Sequence, residues 1–239
     1  MDTPQLTPEQ IQARVLHRDG LMLVIDKPAG IPVHRGPKGG PNLEASFDAL
    51  RFGLPRPPVL AHRLDRDTSG CLVLGRHRKA TASLGLLFKH SKVTKTYWAV
   101  VEGGPTDDAG EIDIALAPRS EERGWWQKPD PAGLPSQTTW RVRGRSDNLT
   151  WLELEPITGR THQLRVHCAA MGWPIVGDNI YGNGPRFGEP SLHLHARAIV
   201  IPLSKNKPPV EVVAPVPAHL QERLKACGWT DALEPAPSA

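Results

Sequence analysis

The densest chemistry in the 239-residue chain lies at residues 62–70, His-Arg-Leu-Asp-Arg-Asp-Thr-Ser-Gly, between two short apolar runs. Two carboxylates, Asp65 and Asp67, are interleaved with Arg63 and Arg66 and followed by the hydroxyls of Thr68 and Ser69. Crowding two acids among two arginines and two hydroxyls at a strand end is costly unless the loop is used, and loops on a rigid scaffold are where sites concentrate. Thr68 and Ser69 can fix such a loop through side-chain bonds to backbone. A solvated turn with compensating charges has the same composition, so the segment alone leaves both readings open.

A second constellation is Thr-Gly-Arg-Thr-His-Gln-Leu-Arg-Val-His at 158–167. Helical spacing puts Thr161 with Arg165, and Arg160 with Leu164, on shared faces. His162 and His167 are five apart, about 140° round a helix, and so do not form an HExxH-like metal pair. His193 and His195 alternate along a strand with no carboxylate or thiol at metal spacing, and read as packing residues. No metal is expected. A third stretch, Lys-Val-Thr-Lys-Thr-Tyr-Trp at 92–98, puts Lys95 and Tyr97 on one strand face and Thr96 and Trp98 on the other. Tyr97 reads either as a stacking platform for a base or as an ordinary half-buried strand aromatic.

These residues need elements to hold them. Apolar runs and alternation predict strands over 21–27, 71–74, 93–101, 138–145, 149–154, 192–201 and 210–213. Helices are expected at 7–13 (Thr7 capping), 42–53 (Asn42 capping), 80–88, 160–171 (Thr158 capping) and 217–227. Strands that are near neighbours with a few helices between them indicate an α+β chain with a mixed sheet. Residues 1–18 read as an N-terminal extension, 19–228 as a single catalytic domain and 229–239 as a flexible tail. Residues 103–135, carrying Trp125 and Trp126, read as a loop-rich insertion that either contacts a ligand or packs its tryptophans. No GxGxxG or P-loop is present.

Composition narrows the class. The net charge is +4 and 19 of the 29 cations are arginine, the better residue for phosphate and base contacts. Proline and glycine total 47 residues, rich but below the level of low-complexity disorder. No apolar run reaches membrane-spanning length and the N-terminus has no signal-peptide pattern. Cys71, Cys168 and Cys227 are isolated and odd in number, so a reduced cytoplasmic setting is expected rather than a disulfide framework.

With these residues on the page, the chain resembles the RluA-like pseudouridine synthases. HRLDRDTSG at 62–70 is similar to that family's nucleophile segment, KTYWAVVEG at 95–103 to its tyrosine strand, and TGRTHQLRVHCAAMGWPIVGDNIYG at 158–182 to its arginine segment. DGLMLVIDKPAGIPVH at 19–34 and LHLHA at 192–196 resemble its flanking strands. The likeness runs over residues 15–215.

The resemblance implies a long mixed, mostly antiparallel sheet with flanking helices and loops around an RNA-binding cleft. It also implies isomerisation of a specific uridine in ribosomal or transfer RNA, without metal or other cofactor. Asp65 matches the family's nucleophile, Tyr97 the tyrosine that packs on uracil, and Arg165 the arginine that pairs with the aspartate. Arg63 matches a residue that holds the flipped-out state; Thr68, Arg160 and Leu164 are expected to support the site. About 18 residues precede the match, so the form without an S4 domain is expected, acting as a monomer. Gly75-Arg76 departs from the family's usual small residue and lysine.

Two rivals stand beside this reading. Asp65-Arg66-Asp67-Thr68 resembles the nucleophile motif of haloacid-dehalogenase-type phosphatases, which needs an apolar parallel strand before it and a later acidic pair for Mg²⁺. Here His62 and Arg63 interrupt the strand, and the acidic pair Asp107-Asp108 falls in the loop-rich segment. A non-catalytic RNA-binding module is the other rival, opposed by the presence of Asp65, Tyr97 and Arg165 together.

Overall fold

The structure is a computed structural model that describes residues 5–35, 39–120, 125–204 and 206–233. In chain order the elements are α1 (Pro8–Gln12), β1 (Val15–Arg18), β2 (Met22–Lys27), β3 (Val59–Leu60), β4 (Ser69–Gly75), α2 (Arg78–Lys89) and β5 (Thr94–Glu102). They continue as β6 (Ala109–Asp113), β7 (Leu116–Pro118), β8 (Gln127–Pro129), β9 (Gln137–Arg145), β10 (Leu149–Pro156), α3 (Gln163–Ala170), β11 (Leu194–Ile201), β12 (Val210–Val213) and α4 (Ala218–Ala226). A 3-10 segment, Leu43–Leu50, is capped by Asn42 as expected. The chain divides into two compact units: residues up to Thr94 with Ala196–Pro215, and Lys95–His195 with the segment from Val216 on.

In the first unit, β1, β2 and β4 pair antiparallel, with β3 on β4 and β12 on β11. Met22–Ile25 and all of β4 are buried, which is why they read as unbroken apolar runs rather than alternating ones. Met22, Val24, Cys71 and Val73 pack with Leu84 of α2 and with Ile199, Ile201 and Val212. The N-terminal extension is part of this unit. Thr7 and Gln10 cap α1 reciprocally, and residues 15–18 pair with β2.

In the second unit, β5, β10, β9 and β6 pair antiparallel in that order. Alternation along β5 sends Ala99 and Val101 to one core with Leu152, Leu154 and Leu164, and Trp98 and Val100 to another with Trp151 and the α4 residues Leu220 and Leu224. The segment taken for loop holds β6 and the β7–β8 ribbon. Its polar sequence hid strands that pair mostly along an edge. Trp229, at the start of the tail assigned from sequence, is buried in the α4 core, whereas residues 234–239 lie outside the described residues.

The helix expected over 160–171 begins instead at Gln163, and Thr158 does not cap it. His162 occupies the N-cap position with φ +53°, in the left-handed region. Thr158 Oγ1 accepts from the Gln137 amide (3.0 Å) and donates to Gln163 Oε1 (2.7 Å), so it ties the entering loop to β9.

Candidate active site

The 62–70 segment leaves β3, turns and enters β4. Its tightness has one main source. Lys27, the last residue of β2, is fully buried, and its ammonium donates to the carbonyls of Pro28, Arg66 and Thr68, each at 2.8 Å. Burial pulls the Lys27 pKa down to about 7, against the opposing pull of Asp67, Asp65 and Asp26. The Gly30 amide donates to the Arg66 carbonyl (2.9 Å) and the Thr68 amide to the Asp65 carbonyl (3.2 Å), closing a turn over Asp65–Thr68. Where the segment becomes β4, Gly70 has φ +105°, and a Cβ there would lie 2.2 Å from the Ala196 carbonyl oxygen. Only glycine fits.

At the other end His62 stacks on Phe88 (4.3 Å between centroids) while its Nε2 accepts from the Val73 amide (3.0 Å). Between these anchors Arg63 is exposed, Asp65 half-buried and Thr68 buried. Arg66 and Asp67 pair with each other at 2.9 and 3.0 Å. The loop therefore holds Asp65 on a fixed backbone while leaving its side chain partly open. Asp65 and Asp67 precede a strand that pairs antiparallel, not the parallel strand end that the phosphatase motif needs.

The second unit carries the remaining expected residues. Tyr97 is half-buried on the face of β5 opposite Trp98, packed against the core that includes Leu154 and Leu164. Leu164 thus supports the tyrosine's core. Lys95, on the Tyr97 side of β5, has its pKa lowered by burial. Arg160 is exposed, with Nε donating to the Pro135 carbonyl (3.2 Å).

Arg165 is buried, and its guanidinium grips Asp178 with Nε to Oδ2 and Nη2 to Oδ1, both 2.8 Å. Asp178 Oδ1 also accepts from the amides of Ile180 and Tyr181. Burial alone would raise the Asp178 pKa, but the Arg165 bonds and charge, with those two amides, hold it below the ordinary carboxylate range. The Tyr181 ring lies 5.4 Å from the Arg165 guanidinium carbon, and its hydroxyl bonds His162 Nδ1 and the Gln127 amide, each at 2.8 Å.

Gln163 and His167 anchor the rest of the segment. Gln163 Nε2 donates to the Gln137 carbonyl, and His167 Nδ1 meets Thr138 Oγ1 at 2.9 Å. The structure thus places Arg63, Asp65 and Thr68 in one unit and Tyr97, Arg160, Leu164 and Arg165 in the other. Sequence reasoning missed Lys27 and Asp178. A lysine closing a buried apolar run was the one available sign of the first; no spacing rule links Asp178 to an arginine 13 residues earlier.

Among the described residues no group of three His, Cys, Asp or Glu side chains could hold a metal ion. His195 lies in β11 and His193 just before it; both are buried, with His193 Nδ1 meeting the Ser191 carbonyl at 2.7 Å.

Residues 21–170 match the model of the RNA pseudouridylate synthase family. The chain belongs to the RNA pseudouridylate synthases. It is an RluA-like member, an isomerase that converts uridine in RNA to pseudouridine. An uncharacterized RNA pseudouridine synthase of Zymomonas mobilis is 41% identical over 206 residues, 85% of this chain and 94% of the relative. Ribosomal large subunit pseudouridine synthase C of Vibrio cholerae is 34% identical over 226 residues, 90% of this chain and 69% of the relative. Among solved structures, human RNA pseudouridylate synthase domain containing 4 superposes with a TM-score of 0.77 at 27% identity, covering 92% of this chain and 94% of that one. The expected α+β fold stands.

Proposed function

We infer that this synthase modifies a uridine in a structured ribosomal or transfer RNA with Asp65 as its nucleophile. The observation that carries the assignment is the Lys27-anchored turn, which fixes the Asp65 backbone and leaves the carboxylate half-open to a substrate.

In this reading the target uridine leaves its stack, at a cost of a few kcal/mol. Tyr97 packs on its uracil and Arg63 helps to hold the extruded state. Asp65 attacks the ribose or the base. The bond between N1 and C1′ breaks, the base turns and C5 bonds to C1′, and the bond made by the Asp65 carboxylate breaks to return it free; C5 loses its proton and N1 gains one, so the product is an isomer. Arg165 supplies the cation that answers the Asp65 carboxylate, while Thr68, Arg160 and Leu164 hold the surrounding framework. Neither metal nor other cofactor takes part, and excess EDTA is expected to leave turnover intact.

We place the enzyme in the cytoplasm, acting as a monomer. The compartment is supported by Cys71, Cys168 and Cys227, all free and buried, with their thiols pushed up by burial, Cys71 to about 12. Among the described residues no helix is long and apolar enough to cross a membrane.

Pseudouridine mapping in total RNA from cells with and without the gene identifies the target. Asp65→Asn is expected to leave that site unmodified while binding the same RNA within about twofold of wild type, since the change keeps the side chain's shape and the backbone bonds of the turn. Modification restored by the Asn variant would remove Asp65 from the role.

A further inference from the structure

One feature of the second unit is not used by this chemistry. Trp125, just ahead of β8, is 56% exposed, whereas Trp98, Trp140, Trp151, Trp173 and Trp229 are each at most 8% exposed. An indole left in water on an ordered ribbon is a poor use of the largest apolar side chain. Yet Trp125 is held. It stands edge-on to Trp126 (5.3 Å, 87°) and to His162 (5.8 Å, 89°). Trp126 in turn lies under the Arg119 guanidinium at 5.6 Å.

His162 adopts the left-handed conformation, uncommon for a side chain other than glycine and a form of strain that gathers at functional positions. The hydroxyl of Tyr181 bonds both His162 and the β8 amide of Gln127, and the Tyr181 ring lies beside Arg165. The exposed indole is therefore tied to the Arg165–Asp178 pair through consecutive contacts. Arg119, Lys128 and Arg160 lie exposed on the same ribbon and the adjoining loop, Lys128 also pairing with Asp130 at 3.2 Å, a net positive pattern suited to a polyanion rather than to an apolar protein face.

We propose that Trp125 is a subsite for a nucleobase of the substrate RNA other than the isomerised uridine, stacking on it while Arg119, Lys128 and Arg160 meet the neighbouring phosphates. This rests on RNA being the substrate and adds where a flanking nucleotide is read. The insertion positions that nucleotide, and the His162–Tyr181 bridge fixes the platform relative to Arg165.

The test uses the full chain, a short oligouridylate and the matching abasic ribose-phosphate oligomer. Because Trp125 is the most exposed tryptophan, acrylamide quenching of intrinsic fluorescence reports on it. Oligouridylate is expected to shield it and the abasic oligomer is not. Trp125→Ala should bind oligouridylate about tenfold more weakly and raise KM for the mapped RNA with little change in kcat, while Trp125→Phe stays within about threefold, as loss or retention of one stacked base requires. Equal melting curves for the three proteins exclude a folding effect. The proposal is overturned by equal shielding from the abasic oligomer, by no shielding at all, or by undiminished binding in Trp125→Ala. Asp65→Asn keeps its fluorescence response in every case, so failure of the nucleophile assignment appears separately, as retained modification.

Discussion

At the scale of single residues, the pair that decides most is Arg165 with Asp178. Both carboxylate oxygens are engaged by the guanidinium fork, and side-chain exposure is 4% and 1%. Removing one member of a buried pair strands the other's charge, which costs more than the pair's net contribution. Asp178→Asn keeps the shape and some amide bonds but removes the carboxylate charge that the Arg165 fork grips at two points. It is expected to lose about 3 kcal/mol of stability in urea titrations, with turnover falling alongside. An unchanged denaturation midpoint would show that Arg165 finds its charge elsewhere. The sequence disclosed Arg165 but not its anchor. Asp178 lies in the same 158–182 segment as Arg165, yet burial and bidentate geometry exist only after α3 and the 172–184 loop have folded back on each other.

At the scale of elements, the loop proposed to carry the nucleophile is a product of β2 as much as of its own residues. One ammonium gathers three carbonyls from the β2 end and from the turn around Asp65. Lys27→Met fills similar volume but gives those carbonyls no donor, and buried unsatisfied acceptors cost about 1–3 kcal/mol each. The expected outcome is faster amide exchange over residues 62–68, with a turnover drop on the order of 10²-fold from misplacement of Asp65. Exchange rates equal to wild type would show that Gly30 and the Asp65–Thr68 turn suffice. Strand signals such as those of β5 and β10 were the most legible part of the chain, because both are rich in β-branched, aromatic and aliphatic residues. The start of α3 was misread because Thr158 looks like a cap; its hydroxyl serves β9 instead, and His162 takes a backbone conformation that no propensity predicts for histidine.

At the scale of the whole molecule, buried titratable groups of opposite sign shape the response to acid. Burial lowers the His193 pKa from 6.5 to about 4, with the Arg223 and His219 charges acting in the same direction and the Ser191 carbonyl and Glu189 opposing. Between pH 6.5 and 4 the unfolded chain binds the proton that the folded chain refuses, so stability falls as pH falls through that window. Asp26 works in reverse. Its pKa is raised from 3.8 to about 6, chiefly by burial, so the folded state gains protons over a similar range. The two offset each other in the total, and the difference between wild type and His193→Gln isolates the histidine. That variant should lose less stability than wild type between pH 7 and 4, by up to about 3 kcal/mol, read from urea midpoints at each pH. Parallel pH profiles would contradict the assignment. The fold class was legible from strand spacing, but the division into two units was not, since each gathers residues from distant parts of the chain.

That division has a consequence for biosynthesis. The first unit's core draws on Ile199, Ile201 and Val212 as well as Met22, Val24 and Val73. Residues up to Thr94 leave the ribosome long before Ala196–Pro215. At ordinary elongation rates of about 5–20 residues per second, the intervening stretch takes roughly 5–20 s to make. Throughout that interval the apolar face of β2 and β4 lacks its final cover, so the nascent chain is most exposed to aggregation while the second unit is being translated.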